Sequence, residues 1–67
     1  MSVAKVSEIT SSSKQSFEDA IVQGIRRFSK TVEMVQGAWV HEQKVTVSGG
    51  QIDEYRVTMK VTFIIND

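Results

Sequence analysis

The fold of this chain is decided by residues 35–65, which read VQGAWVHEQKVTVSGGQIDEYRVTMKVTFII. The Gly49-Gly50 pair divides this stretch into two halves that are rich in β-branched and aromatic residues. Such halves are typical of strands, and a Gly-Gly pair readily supplies the positive φ angles of a tight hairpin turn. We therefore predict two antiparallel strands, one from Val35 to Ser48 and the other from Gln51 to Ile65.

The second of these strands alternates between apolar and polar side chains, as a half-buried strand should. One face carries Tyr55, Val57, Met59, Val61, Phe63 and Ile65. The other face carries Arg56, Thr58, Lys60 and Thr62. In the first strand, the same period of two places Trp39, His41, Gln43, Val45 and Val47 on one face. The hairpin therefore offers one apolar face that must be covered.

A helix is predicted upstream of the hairpin. Ser16 and Asp19 stand at the spacing of a capping box, with aspartate in place of the usual glutamate or glutamine. Apolar residues and one glycine then recur at spacings of three and four, which indicates one stripe of an α-helix. They are Phe17, Ala20, Ile21, Gly24, Ile25 and Phe28. We predict a helix from about Phe17 to about Thr31, with Gly24 allowing close packing on the sheet.

A further strand is predicted before the helix. Val3 to Ile9 contains three β-branched residues, and the polar run from Thr10 to Ser13 is expected to end this strand. The 67 residues then form a single domain, 1–67, with no linker and no repeat.

The hairpin is too long for the helix that must shield it. About fourteen strand residues span about 46 Å at ~3.3 Å each, whereas about fifteen helical residues span only about 22 Å. A chain of 67 residues with no cysteine and one histidine has neither disulfides nor a histidine-rich metal site to stabilise a thin core. We therefore expect further copies of the same chain to cover the rest of the hairpin.

The composition argues against several partners. Eight basic and eight acidic residues give a net charge of zero, so there is no bulk attraction to nucleic acid or to an anionic membrane. The first residues lack a signal-peptide pattern, and no apolar run approaches the ~18 residues of a membrane span. We expect a cytoplasmic protein that binds neither nucleic acid nor membrane.

Short segments in order along nearly the whole chain resemble the dodecin family. They are Lys5-Val6-Ser7-Glu8-Ile9, Ser16-Phe17-Glu18-Asp19-Ala20-Ile21, Ser29-Lys30-Thr31, Gly50-Gln51 and Tyr55-Arg56-Val57-Thr58-Met59-Lys60-Val61-Thr62-Phe63. The resemblance implies an α+β fold of β-α-β-β order, in which a three-stranded antiparallel sheet wraps around one helix. It also implies assembly into a hollow homododecamer of cubic symmetry. Many members of this family bind flavins such as FMN or riboflavin in the shell, with paired isoalloxazine rings stacked between tryptophans. They are regarded as storage or protective binders and not as enzymes.

The same resemblance assigns candidate ligand-binding residues. The stacking tryptophan of the family falls on Gly37, and the single tryptophan of this chain, Trp39, follows two residues later on the same face, about 6.6 Å away. The glutamine that hydrogen-bonds the flavin falls on Arg56, and an arginine that some members use for coenzyme A falls on Ile64. The predicted cofactor-binding residues are therefore Trp39, Arg56 and Gly37.

Each of these residues also has a structural interpretation. Trp39 could pack against its helix or a neighbouring subunit, and Arg56 could form a salt bridge with Glu42 or Glu54. Gly37 offers no stacking surface, so it could leave the pocket empty or let another backbone approach closely. The leading hypothesis is therefore a binding or storage protein for flavin or a related planar ligand.

The alternative hypothesis is a flavin-free shell that is structural or ion-binding. Carboxylates such as Glu42, Asp53 and Glu54 could meet at a symmetry axis and bind calcium or magnesium. Within one chain we expect no metal site. His41 fits an ordinary surface or interface residue, and no spacing of His41 with serine and aspartate supports a catalytic triad, so we expect no enzymatic activity.

Overall fold

The computed structural model describes residues 3–65 and confirms the expected β-α-β-β order. Its elements are β1 (Val3–Ser13), α1 (Phe17–Ser29), β2 (Val35–Ser48) and β3 (Gln51–Ile65). The strands form one antiparallel sheet of order β1-β3-β2, in which β3 is central and pairs with both neighbours. The turn between β2 and β3 is the Gly49-Gly50 pair, with φ angles of 59° and 77°. Glycine adopts this left-handed backbone without a steric penalty.

β1 is longer than expected. Thr10 to Ser13 do not end the strand, because they pair in register with residues from Thr58 back to Tyr55 of the long β3. A polar run reads as a loop when it is judged by composition alone. Here the backbone of β3 supplies hydrogen-bonding partners that override that local preference.

The start of α1 has the predicted N-cap but a different partner for Asp19. Ser16 Oγ accepts from the backbone N–H of Asp19 at 2.9 Å, as in a capping box. The Asp19 carboxylate accepts from the hydroxyl of Ser13 at 2.6 Å. Ser13 Oγ in turn accepts from the backbone N–H of Gln15 at 2.9 Å, so the end of β1 is tied to the first turn of the helix. The helix ends at Ser29, two residues before the predicted end.

The core lies between α1 and one face of the sheet, which we call the inner face. Ala20 of the helix and Val57, Met59 and Val61 of β3 are fully buried. Two aromatic pairs flank this core, Phe17 with Tyr55 at 5.1 Å between ring centroids and Phe28 with Phe63 at 5.8 Å. The predicted apolar face of β3 is therefore the inner face. The opposite face, which carries Arg56 and Lys60, is called the outer face.

A β-bulge at His41 changes the predicted faces of β2. Val40 pairs with Met59 and Glu42 pairs with Thr58, so His41 is an extra residue in β2. The expected common face of Trp39, Gln43 and Val45 is therefore wrong. Trp39 pairs with outer-face Lys60, whereas Val45 pairs with inner-face Tyr55.

The inner face continues beyond the helix, as the lengths predict. Near the turn, Val45, Val47 and Ile52 point to this side and are exposed, Val47 by 63% and Ile52 by 51%. We call these three residues the bare end of the sheet. The described chain measures 52 × 20 × 13 Å, which reflects strands much longer than α1. Within residues 3–65, no helix is both long enough and apolar enough to cross a membrane.

Candidate functional site

The candidate site is a row of side chains across the outer face of the sheet. Lys60 of the central strand pairs with Glu8 of β1 on one side and with Trp39 of β2 on the other. Paired residues of antiparallel strands project to the same side. The row therefore places a carboxylate, an ammonium group and an indole ring side by side on this face.

Trp39 presents a large aromatic surface to solvent. The residue is 63% exposed, although a tryptophan is normally among the more buried residues. The ammonium Nζ of Lys60 lies 5.5 Å from the centroid of the ring, a distance that favours a cation–π interaction. The His41 ring lies 5.7 Å from Trp39 at an interplanar angle of 51°. Trp39 is thus held by two neighbours and keeps much of its surface free for stacking.

His41 reaches across the central strand to the far side of the sheet. Its Nε2 lies 2.9 Å from Oε2 of Glu8. An ionised carboxylate can only accept, so the imidazole N–H is the donor in this hydrogen bond. The bulge makes this contact possible because it turns the extra residue of β2 to the outer face. Glu8, Lys60, His41 and Trp39 form one connected group, which we call the outer-face cluster.

Gly37 leaves space beside the outer-face cluster. It pairs with Thr62, the outer-face neighbour of Lys60 on β3, so it lies on the same face as Trp39. A side chain built on Gly37 would have no atom within 4 Å of its Cβ. Gly37 and Trp39 therefore lie on one face, displaced by about 6.6 Å as predicted. The space beside Trp39 at the position of Gly37 is open.

Arg56 stands apart from the other two predicted residues. It lies on the outer face but four residues from Lys60 along β3, which corresponds to about 13 Å. Its Nη2 donates to Oε1 of Glu54 at 3.2 Å, which is one of the two expected ion pairs. Within one chain the structure brings Gly37 and Trp39 together and does not bring Arg56 to them.

The sequence interpretation missed Lys60, His41 and Glu8 as neighbours of Trp39. The pairing of Trp39 with Lys60 could have been found by counting residues outward from the turn, because the two residues are equally far along the chain from Gly49 and Gly50. The extra residue His41 in β2 is offset by the extra residue Asp53 in β3, so the count gives the correct pair. The contact between His41 and Glu8 depends on the bulge and on the strand order, which no local pattern reveals.

The three carboxylates of the ion-binding hypothesis, Glu42, Asp53 and Glu54, do not come together within one chain. Asp53 pairs with Lys14 at 3.2 Å between Oδ1 and Nζ, and Glu54 pairs with Arg56. Glu42 lies opposite Thr58. Across residues 3–65, no group of three or more histidine, cysteine or acidic side chains is placed to hold a metal ion.

Comparisons with known proteins agree on one family. A family model described as Dodecin matches residues 3–66. Dodecin from Streptomyces davaonensis is 32% identical with a TM-score of 0.95, and the match covers 98% of this chain and 97% of that one. A mutant dodecin from T. thermophilus is 27% identical with a TM-score of 0.95 over 100% of both chains. No curated protein matches the chain.

One further structure is described as a calcium dodecin. This calcium-chelating antigen from Mycobacterium tuberculosis, which has a novel calcium-binding site, is 32% identical with a TM-score of 0.84. The match covers 96% of this chain and 91% of that one.

Proposed function

Because this chain belongs to the dodecin family, we propose that it forms a homododecamer that binds and stores a flavin or a related planar ligand. One observation carries this proposal: the exposed ring of Trp39 stands beside the open position of Gly37 on the outer face. An aromatic ligand gains from offset stacking on such a ring. Symmetry-related copies of Trp39 would enclose the ligand between subunits.

Within the outer-face cluster Glu8 pairs with His41, and Lys60, which lies at the Trp39 ring, favours a ligand that carries an anionic group. Lys60 already lies over the Trp39 ring and has a flexible side chain, so it can move to a phosphate when a planar ring replaces it. Among flavins, FMN has such a phosphate and riboflavin has none. We therefore propose that FMN binds more tightly than riboflavin.

We assign the contribution of Arg56 to a neighbouring subunit. Within one chain Arg56 lies about 13 Å along β3 from the row of Trp39, and its guanidinium pairs with Glu54 rather than with the outer-face cluster. In the assembly it would offer a bidentate guanidinium to a carbonyl or phosphate of the ligand, in exchange for its pair with Glu54. The proposed activity is binding in the cytoplasm, with no chemical step.

Titration with FMN and riboflavin tests the proposal. We expect the purified oligomer to quench flavin fluorescence in a saturable way. Trp39→Ala should lower the affinity for flavin at least tenfold. Trp39→Phe retains a stacking ring and should keep most of the affinity. Val22→Ala changes an exposed apolar residue of α1 and serves as the control. An assembled protein that shows no quenching at micromolar flavin contradicts flavin binding.

A flavin-free, ion-binding shell is the second candidate. The similarity to a calcium dodecin at 32% identity favours it, and copies of Glu42 or Asp53 could meet at symmetry axes. Calorimetric titration with Ca²⁺ alone separates the two candidates. The ion-binding shell is supported if Ca²⁺ binding releases or absorbs heat, if this heat disappears in Glu42→Gln or Asp53→Asn, and if the same protein does not bind FMN. The absence of any heat on Ca²⁺ addition contradicts the ion-binding shell.

A further inference from the structure

The carboxylate of Glu8 and the ammonium group of Lys60 belong to direct cross-strand neighbours, yet the two groups do not form an ion pair. Glu8 and Lys60 pair in register on β1 and β3 and project to the outer face. Opposite charges at such positions lie within reach and stabilise a sheet when they pair. In the described part of the chain, no ion pair joins these two side chains. The carboxylate of Glu8 therefore has a partner that it takes in preference to its nearest cation.

That partner is His41 of β2. Its Nε2 lies 2.9 Å from Oε2 of Glu8, although β3 runs between the two strands. Neighbouring strands lie about 4.8 Å apart, so this hydrogen bond bridges a backbone separation of about 10 Å. The His41 side chain is also the better shielded of the two, with 27% exposed against 55% for Glu8. The hydrogen bond therefore draws the carboxylate toward β2 and fixes the side chains at both ends.

With Glu8 engaged by His41, the ammonium group of Lys60 lies at Trp39. Its Nζ is 5.5 Å from the centroid of the indole ring, within the range of a cation–π interaction. Glu42, another acid on this face of β2, stands opposite Thr58 and forms no ion pair within residues 3–65. The positive charge beside the Trp39 ring is therefore not neutralised by a carboxylate of the described chain.

We propose that His41 is a positioning residue that sets the ligand preference at Trp39. It engages Glu8 and so leaves Lys60 available to the anionic group of a planar ligand. Without the imidazole N–H, Glu8 pairs with Lys60, and a phosphate or carboxylate of the ligand must compete with that ion pair. This inference rests on the proposed function and deepens it, because it names the residue that makes the site prefer a planar ring with an anionic arm.

Two substitutions of His41 test the preference directly. Phenylalanine keeps a ring beside Trp39 but has no N–H for Glu8, whereas glutamine keeps an N–H donor. We expect the ratio of the riboflavin Kd to the FMN Kd to fall about two- to fivefold in His41→Phe, as for the loss of one exposed ionic contact. The ratio should stay near its original value in His41→Gln. In a Lys60→Gln background, His41→Phe should change the ratio no further.

A second measurement needs no flavin, because Trp39 is the only tryptophan of the chain and its emission reports this position alone. Iodide is an anionic quencher and acrylamide a neutral one, so the ratio of their quenching constants measures the positive charge near the ring. His41→Phe should lower this ratio by up to about twofold, the effect of one screened charge about 6 Å away. Glu8→Gln in the same background should restore it. Glu33→Gln, which removes an exposed carboxylate before β2, should not.

The outcomes separate this inference from the proposed function. An iodide-to-acrylamide ratio that is unchanged in His41→Phe and in His41→Leu, which also lacks an N–H donor, overturns the role of His41 whether or not flavin binds. An equal loss of affinity for FMN and riboflavin in His41→Phe contradicts it too, because His41 would then only support the Trp39 ring. A protein that shows the expected quenching but binds no FMN refutes flavin binding and supports the control of Lys60 by His41.

Discussion

Gly24 sets the distance between the helix and the sheet. A Cβ at this position would lie 2.9 Å from the Cβ of Ser11 and 2.9 Å from the terminal methyl of Met59. Met59 can move its flexible end, but Ser11 is fixed by its pairing with Val57. Close packing at Gly24, which the sequence pattern predicted, is therefore confirmed.

Gly24→Ala should destabilise the protein despite the better helix propensity of alanine. Alanine gains up to about 1 kcal/mol in a helix, whereas overpacking against a fixed strand costs about 1–3 kcal/mol. We expect a net loss of up to about 2 kcal/mol, measured by urea unfolding at one fixed protein concentration. In a Ser11→Gly background the loss should shrink, and an equal loss there would show that Ser11 is not the obstacle.

The candidate site shows what a sequence can predict at the level of residues. Trp39 and Gly37 lie on one face two residues apart, which follows from the period of a strand alone. The neighbours His41 and Glu8 come from strands that do not pair with each other. Their contact depends on a bulge and on the order of strands in the sheet, and a periodic pattern contains neither.

At the scale of elements, the cap of α1 is a specific test of the helix start. Ser16→Ala removes the acceptor for the backbone N–H of Asp19, and such losses cost about 1 kcal/mol. We expect that decrease in the free energy of unfolding from urea titration. Ser12→Ala is the matched control, because Ser12 is exposed on β1 and should change stability by less than about 0.5 kcal/mol. Equal effects of both changes would contradict the role of the cap.

The elements themselves were largely predictable from local signals. The Gly-Gly turn, both hairpin strands and the stripe of α1 were placed correctly, since each has a clear period or turn residue. The serine run of β1 was not, because its strand conformation comes from pairing with β3. The bulge at His41 could not be predicted for a similar reason. It adjusts the register of one strand to its partner, and no residue type or spacing in the sequence indicates it.

At the scale of the whole molecule, the buried part of the inner face should tolerate no charge. Val61→Asp places a carboxylate without a partner at a fully buried position. Phe63→Asp places one opposite Lys5 but removes the ring that contacts Phe28. We expect both variants to yield no assembled particles in sedimentation, whereas Val22→Asp on the exposed side of α1 should assemble. Soluble oligomers from Val61→Asp would mean that the faces are assigned wrongly.

The order of strands also favours one sequence of folding events, in which the hairpin of β2 and β3 forms before β1 pairs with β3. β2 and β3 are joined by two residues and can zip from the turn, whereas β1 pairs with β3 across the length of the chain, as in Val3 with Ile65. Contacts that are distant along the chain form slowly, since a large loop must close first. An early hairpin would expose Met59 and Val61 until β1 and α1 arrive. The risk of aggregation is therefore greatest during that interval, and chaperones or rapid assembly with other subunits would lower it.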